Sequence, residues 1–169
     1  MAAVVDNREG AAMIRLACDS DELAKLVECP VVLTYSDLVP DAAALKALEH
    51  RFPDSEVGLI DRGLGDPTGQ ATIADIETGT LALAQVTSWL AGKRHDGWSC
   101  LTIYGSFSTL AQVDREAGPH KWWRWFARWG TTLQVPGHPG AMLQFDSDGP
   151  EHLDWSIIRN PHWHPRARG

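Results

Sequence analysis

Long hydrophobic runs are missing from this 169-residue chain. None approaches the roughly 18 residues that a membrane-crossing helix needs, so no membrane partner is expected. Basic residues are the minority: 15 Lys and Arg face 22 Asp and Glu, for a net charge of -7. That balance argues against a nucleic-acid groove, which would present a basic stripe. Cysteine is scarce, and Cys18, Cys29 and Cys100 show no C-x-x-C spacing, so neither a disulfide framework nor a zinc site is suggested and buried thiols are expected. The first residues, Met-Ala-Ala-Val-Val-Asp6-Asn7-Arg8-Glu9, lack the charged and apolar regions of a signal peptide. The expectation is a protein made in the cytoplasm without such a peptide. Gly63-x-Gly65 is not followed by a helix-opening G-K-[ST], and Ser106 and Ser108 stand in no G-x-S-x-G elbow. His162-x-His164 has no third ligand at a set spacing, so no metal or other cofactor is expected and the tail reads as a solvent-exposed aromatic segment.

What the chain does have is tryptophan: eight of them, with Trp122, Trp123, Trp125 and Trp129 crowded together. An indole offers a flat apolar face and one N–H donor, which suits the hydroxyl-edged faces of sugars as well as cores and interfaces. Trp89 sits in a helical pattern and reads as a core anchor, whereas Trp125, Trp129 and Trp155 are open to either reading.

The second positive feature is Ala-Thr-Ile-Ala-Asp75-Ile-Glu77, an apolar run that ends in two acids and then meets Thr78-Gly79. In a strand, residues i and i+2 share a face, about 6.6 Å apart, with Ile76 turned the other way. Two acids on one face before a loop are what glycosidic chemistry needs. One protonates a leaving oxygen while the other stabilises developing positive charge or positions the attacking group. The plain alternative is a surface strand end followed by an acidic helix start.

Along the chain, the opening residues 1–12 are small, polar and unpatterned, too poor in apolar groups to offset the entropy of ordering them, and predict a flexible arm. Asp19-Ser20-Asp21-Glu22 reads as a capping box opening a short helix over 23–27 that Pro30 ends. Strands are expected over 31–36, 56–61, 71–77, 99–104, 141–145 and 153–158, and helices over 41–50, 81–93 and 109–117. Residues 121–129 alternate Trp123, Trp125, Ala127 and Trp129 against Arg124, Phe126 and Arg128, which suggests a strand, although a helix also fits. Strands alternating with helices imply a parallel sheet with strand tips on one rim. Tyr35, Asp37, Asp61, Asp75, Glu77, Tyr104, Trp129, Gln144 and Asp154 fall at or near such ends. The fold class expected is α/β: a short or incomplete (β/α) TIM-type barrel over 31–158, preceded by an arm and short helix over 1–30 and followed by an irregular tail over 159–169. In such a barrel the rim carries the active site.

These motifs, in order, resemble glycoside hydrolase family 25, the Chalaropsis-type muramidases, and the related glycoside-hydrolase-like domains of Gram-positive bacteria and their phages. Asp75-Ile76-Glu77 is similar to the family's fourth-strand motif and Leu101-Thr102-Ile103-Tyr104 to its next strand. Trp125-Phe126-Ala127-Arg128-Trp129 resembles the W-x-A-x-aromatic strand, Gln144-Phe145 the Q-aromatic strand, and Leu153-Asp154-Trp155-Ser156 the closing apolar-Asp strand. The resemblance implies cleavage of peptidoglycan after N-acetylmuramic acid, with Glu77 as proton donor and Asp75 and Asp154 as supporting carboxylates. Tyr35, Asp37, Asp61, Tyr104, Trp125, Trp129 and Gln144 are the expected substrate-binding residues. The family's first strand carries an Asp in an I-D-V-S-like context, whereas Val32-Leu33-Thr34-Tyr35-Ser36-Asp37 leaves that acid displaced or lost. The expectation is therefore a phage virion component such as a minor tail protein, weakly active or inactive. It would face or bind host cell-wall glycan and dock onto neighbouring tail subunits through its arm. The alternative is a muramidase using Glu77 as general acid.

Overall fold

A computed structural model of the chain describes residues 14–77, 79–118, 122–127, 142–147 and 153–168. Eight strands close into one barrel in sequence order: β1 (Arg15–Ser20), β2 (Val31–Tyr35), β3 (Glu56–Asp61), β4 (Ile73–Asp75), β5 (Thr102–Gly105), β6 (Trp123–Phe126), β7 (Met142–Ser147) and β8 (Asp154–Ile158). Neighbours from β1 to β7 pair in parallel, while β8 runs antiparallel to both β7 and β1. Helices α1 (Ala42–Arg51), α2 (Leu83–His95) and α3 (Phe107–Ala117) follow β2, β4 and β5, and a short 3-10 turn spans Ser36–Leu38. The barrel is thus closed rather than open, and its helical layer is partial among the described residues.

Alternation along each strand sorts side chains between the lumen and the outside. Ala17, Val31, Leu33, Ile60, Ile73, Trp125, Met142 and Ile158 pack with Trp163 in one cluster that fills the lumen. On the outside, Val32, Val57 and Leu59 meet Leu45, Leu48 and Phe52 of α1 and its exit, while Ala74, Ile103 and Phe126 meet Val86, Leu90, Leu110 and Val113 of α2 and α3. Helices α1 and α3 start at side-chain caps: Asp41 Oδ1 accepts from the Ala44 amide at 2.8 Å, and Ser106 Oγ from the Thr109 amide at 3.2 Å.

Three expectations change. The barrel begins at Arg15, not at Val31, because Arg-Leu-Ala-Cys-Asp-Ser is a strand. Residues 23–27 form a turn rather than a helix, with the Lys25 amide donating to Glu22 O at 2.9 Å. Residues 21–30 must carry the chain back along the length of β2, about 16 Å for five residues, and helix at 1.5 Å per residue would consume all ten positions and leave none for turning. Third, the tail is not a solvent-exposed appendage. Trp163 is 0% exposed, its Nε1 donates to Thr102 Oγ1 at 2.8 Å, and Pro165 O accepts from Thr72 Oγ1. Trp163 therefore plugs the lumen at the strands' N-terminal ends. Gly58 makes room for this: a Cβ there would sit 2.6 Å from Pro165 Cβ and 2.7 Å from Leu33 Cδ2. The arm over residues 1–12 lies outside the described residues.

Candidate active site at the acidic rim

The opposite end of the barrel is acidic. Register puts Asp19 of β1 beside Asp154 of β8, and Asp75 of β4 beside Tyr104 of β5. An acid at the start of β8 reaches the rim where the parallel strands end because β8 alone runs the other way. Tyr35 closes β2 in register with Ile60, on the lumen side. Gln144 lies opposite Ser156 and accepts a 2.5 Å hydrogen bond from Tyr104 OH. Six of the eight strands thus send a polar group into the top of one lumen.

Asp75 and Glu77 divide between wall and lip. Asp75 is buried at 4% exposure. Its Oδ1 accepts from the Glu77 amide at 3.0 Å, and its backbone O accepts from Leu81. Ile76 extends the ladder once more, its amide donating to Tyr104 O at 3.2 Å, while its side chain packs outward among the helices. The strand then stops, and Glu77 stands exposed beside Ser106 and Thr109 at an open cavity of about 430 Å³. Ile76 faces away from Asp75, which lies in the wall, and Glu77 follows where the strand has already ended, at the cavity it shares with Ile76, Ser106 and Thr109.

The electrostatics follow from burial and crowding. Burial, then the negative charges of Asp154 and Asp75, pushes the Asp19 carboxyl well above the ordinary aspartate value. Its Oδ1 has no hydrogen-bond partner among the described residues. Burial also raises Asp75, against the opposing Glu77 amide, Thr80 hydroxyl and Arg62 charge. Partial desolvation raises Glu77, and Asp75 and Asp154 add to it. Tyr35 and Tyr104 are held as neutral phenols, chiefly by burial and then by the surrounding acids. A group that can hold a proton therefore stands at an accessible lip, over fixed carboxylates and phenolic donors.

The other expected site residues fall elsewhere. Asp61 closes β3 on the outer face, one residue past inward-facing Ile60, where it accepts from Trp89 Nε1 of α2 at 2.9 Å and from the Gly63 amide at 2.8 Å. It ties α2 to the barrel and does not line the rim. Asp37 is engaged by Arg62, Nε to Oδ1 at 3.0 Å and Nη2 to Oδ2 at 2.7 Å, which holds the guanidinium over the Tyr35 ring at 4.5 Å. Asp37 thus acts on the rim only through Arg62. Trp125 is 1% exposed, donates to Ser156 Oγ at 2.9 Å and meets Tyr104 edge-on at 4.7 Å. It supports the floor of the site and offers no open platform for a sugar. Trp129 lies outside the described residues.

Sequence reasoning missed Asp19. The signal was there: Leu16-Ala17-Cys18-Asp19 is a short apolar run tipped by an acid, like the other strands, but Asp19-Ser20-Asp21-Glu22 also has the form of a helix cap. No group of three or more His, Cys, Asp or Glu among the described residues is arranged to hold a metal ion, and no described helix is long and apolar enough to cross a membrane. Compared with known proteins, the chain is matched by no family model, no curated protein and no solved structure.

Proposed function

We propose that the rim is a glycoside-hydrolase-type acid site directed at cell-wall glycan, with Glu77 as proton donor. The observation that carries this reading is the meeting of Asp19, Asp75 and Asp154 under an exposed glutamate whose proton affinity is raised. Glycosidic cleavage needs one carboxyl that keeps a proton near neutral pH and another that stays ionised to face an oxocarbenium-like transition state. Glu77, on the lip, takes the first role. Asp154, half-buried at the rim, takes the second. Asp75 fixes the Glu77 loop by accepting the Glu77 N–H, Tyr35 supplies a neutral donor for a sugar hydroxyl, and Tyr104, whose proton goes to Gln144, can accept from one.

The TIM-type (β/α) description belongs with this proposal, supported by the parallel run from β1 to β7 and the helices outside it, with β8 as a departure. The likeness to family 25 muramidases gains a first-strand acid in Leu16-Ala17-Cys18-Asp19-Ser20, one strand earlier than the sequence suggested. One ground for inactivity is thereby removed. The virion reading, a minor tail component facing the host wall, retains support from the helical layer, which is partial among the described residues. A wall-facing tail protein and a muramidase share one substrate class, so the two readings separate on turnover. Purified peptidoglycan incubated with the protein should release reducing ends, and Glu77→Gln should abolish release while retaining sedimentation with the polymer. Binding without release by the unaltered protein would favour the structural role.

A further inference from the structure

The three cysteines are not equivalent. Cys100 is buried apart from the others, beside the tail, where its Sγ accepts from the His164 amide at 3.5 Å. Cys18, on the outer face of β1, and Cys29, in the connection leading to β2, stand 3.3 Å apart, sulfur to sulfur. Cys18 is 0% exposed. Cys29 is half-buried and lines an open hollow of about 530 Å³ with Arg15, Pro30, Pro53 and Glu56. We propose that Cys18 and Cys29 form a peroxide-sensitive dithiol, with Cys29 the sulfur that meets the oxidant and Cys18 the sulfur that resolves it, closing a disulfide that staples β1 to the start of β2.

The geometry sets the order of events. A small peroxide reaches Cys29 through the hollow but not Cys18 behind it. Cys29 sulfur attacks one peroxide oxygen, the O–O bond breaks, and the departing hydroxide takes the Cys29 proton and leaves as water. Cys18 sulfur then attacks the Cys29 sulfenic sulfur and expels hydroxide, which takes the Cys18 proton as a second water. Two thiols lose two electrons and two protons, and one peroxide becomes two waters. The sulfurs must approach by about 1.3 Å to reach a bonded separation of about 2.05 Å. The connection after Cys18 is a turn-rich segment rather than a helix, and it can supply that movement. The contact between the two sulfurs also lowers the Cys29 pKa, while that same contact and burial raise Cys18, which favours the same division of labour. Because Asp19 follows Cys18 directly, the staple would anchor a strand that carries a buried rim acid.

The test treats the reduced, full-length protein with a few equivalents of hydrogen peroxide, quenches with an alkylating agent, and maps peptides without reduction. The expected result is a single crosslink between the peptides holding Cys18 and Cys29, with Cys100 still free, and a melting temperature raised by roughly 5 to 10 °C and returned by dithiothreitol. Cys29→Ser should leave Cys18 unmodified, Cys18→Ala should leave Cys29 as a trappable sulfenic acid, and Cys100→Ala should crosslink as before. Differential alkylation of the unsubstituted protein stands alone should either variant fold poorly. Free Cys18 and Cys29 after peroxide, a bridge to Cys100, or bridges only between molecules would overturn the proposal.

Discussion

Removing the plug from the bottom of the barrel tests the packing directly. Trp163 is fully buried among Ala17, Val31, Leu33 and Trp125, and it is bonded to Thr102, itself 0% exposed. Trp163→Ala deletes the whole ring and leaves a cavity that the surrounding strands cannot collapse into, because they are closed on themselves. Large-to-small changes of this kind cost about 3 to 5 kcal/mol, and for a chain of this size each kcal/mol moves the melting temperature by roughly 2 to 4 °C. Thermal unfolding followed by circular dichroism should therefore fall by about 6 to 20 °C. Trp163→Phe divides the effect, since it retains most of the packing but orphans the Thr102 hydroxyl, for about 1 kcal/mol or somewhat more. A loss under about 3 °C in the alanine variant would refute the plug and return 159–169 to the exposed tail that its composition suggested.

Three further outcomes follow from named contacts. Gly58→Ala should destabilise by about 1 to 3 kcal/mol, because its Cβ would collide with Pro165 and Leu33; unchanged chemical denaturation would contradict the tail docking. Lys93 pairs with Asp66 at 2.5 Å with both side chains largely covered, 10% and 8% exposed, so Lys93→Ala should cost about 3 kcal/mol. Burial tends to raise Asp66, but Lys93, the Ala71 amide and Thr68 outweigh it and leave the carboxyl below its ordinary value. That contribution is present above the unfolded aspartate pKa of about 3.9 and is lost as pH falls through the lower folded value, a loss that Asp66→Asn should remove from acid unfolding curves. Asp19 has the opposite sign. With its folded pKa raised, the folded state holds a proton that the unfolded chain has released, so its contribution declines as pH climbs from about 3.9 to the raised value. Asp19→Asn should stabilise the protein at pH 7 by on the order of 1 to 3 kcal/mol, whereas destabilisation at pH 7 would show that the carboxylate is compensated.

Sequence periodicity was most informative where a single face decides. The helices over 42–51, 83–95 and 107–117 and the strand over 56–61 lie within a few residues of their expected bounds, since their apolar spacing matches one buried face each. Asp75 and Tyr104 were legible as strand tips for the same reason. Asp61 was legible as a strand tip too, but its face was not: a shift of one residue in alternation turns it to the helices, and that parity is set by pairing with β2 and β4, not by β3 itself. Asp19 was hidden because three apolar residues are too few to outweigh a competing cap signature. Trp163 was hidden because a lumen plug comes from an irregular segment, to which periodicity is blind.

In the proposed mechanism, Glu77 delivers a proton to a glycan held over the Asp19, Asp75 and Asp154 rim. Release of reducing ends from purified peptidoglycan, measured against pH for the unaltered protein and for Glu77→Gln, tests it most directly. The expected result is release that falls as pH rises through the elevated Glu77 value, and a drop of about a hundred- to ten-thousand-fold in Glu77→Gln with the melting curve unchanged. Release that persists undiminished in Glu77→Gln, or none from the folded, unaltered protein at any pH, would contradict it.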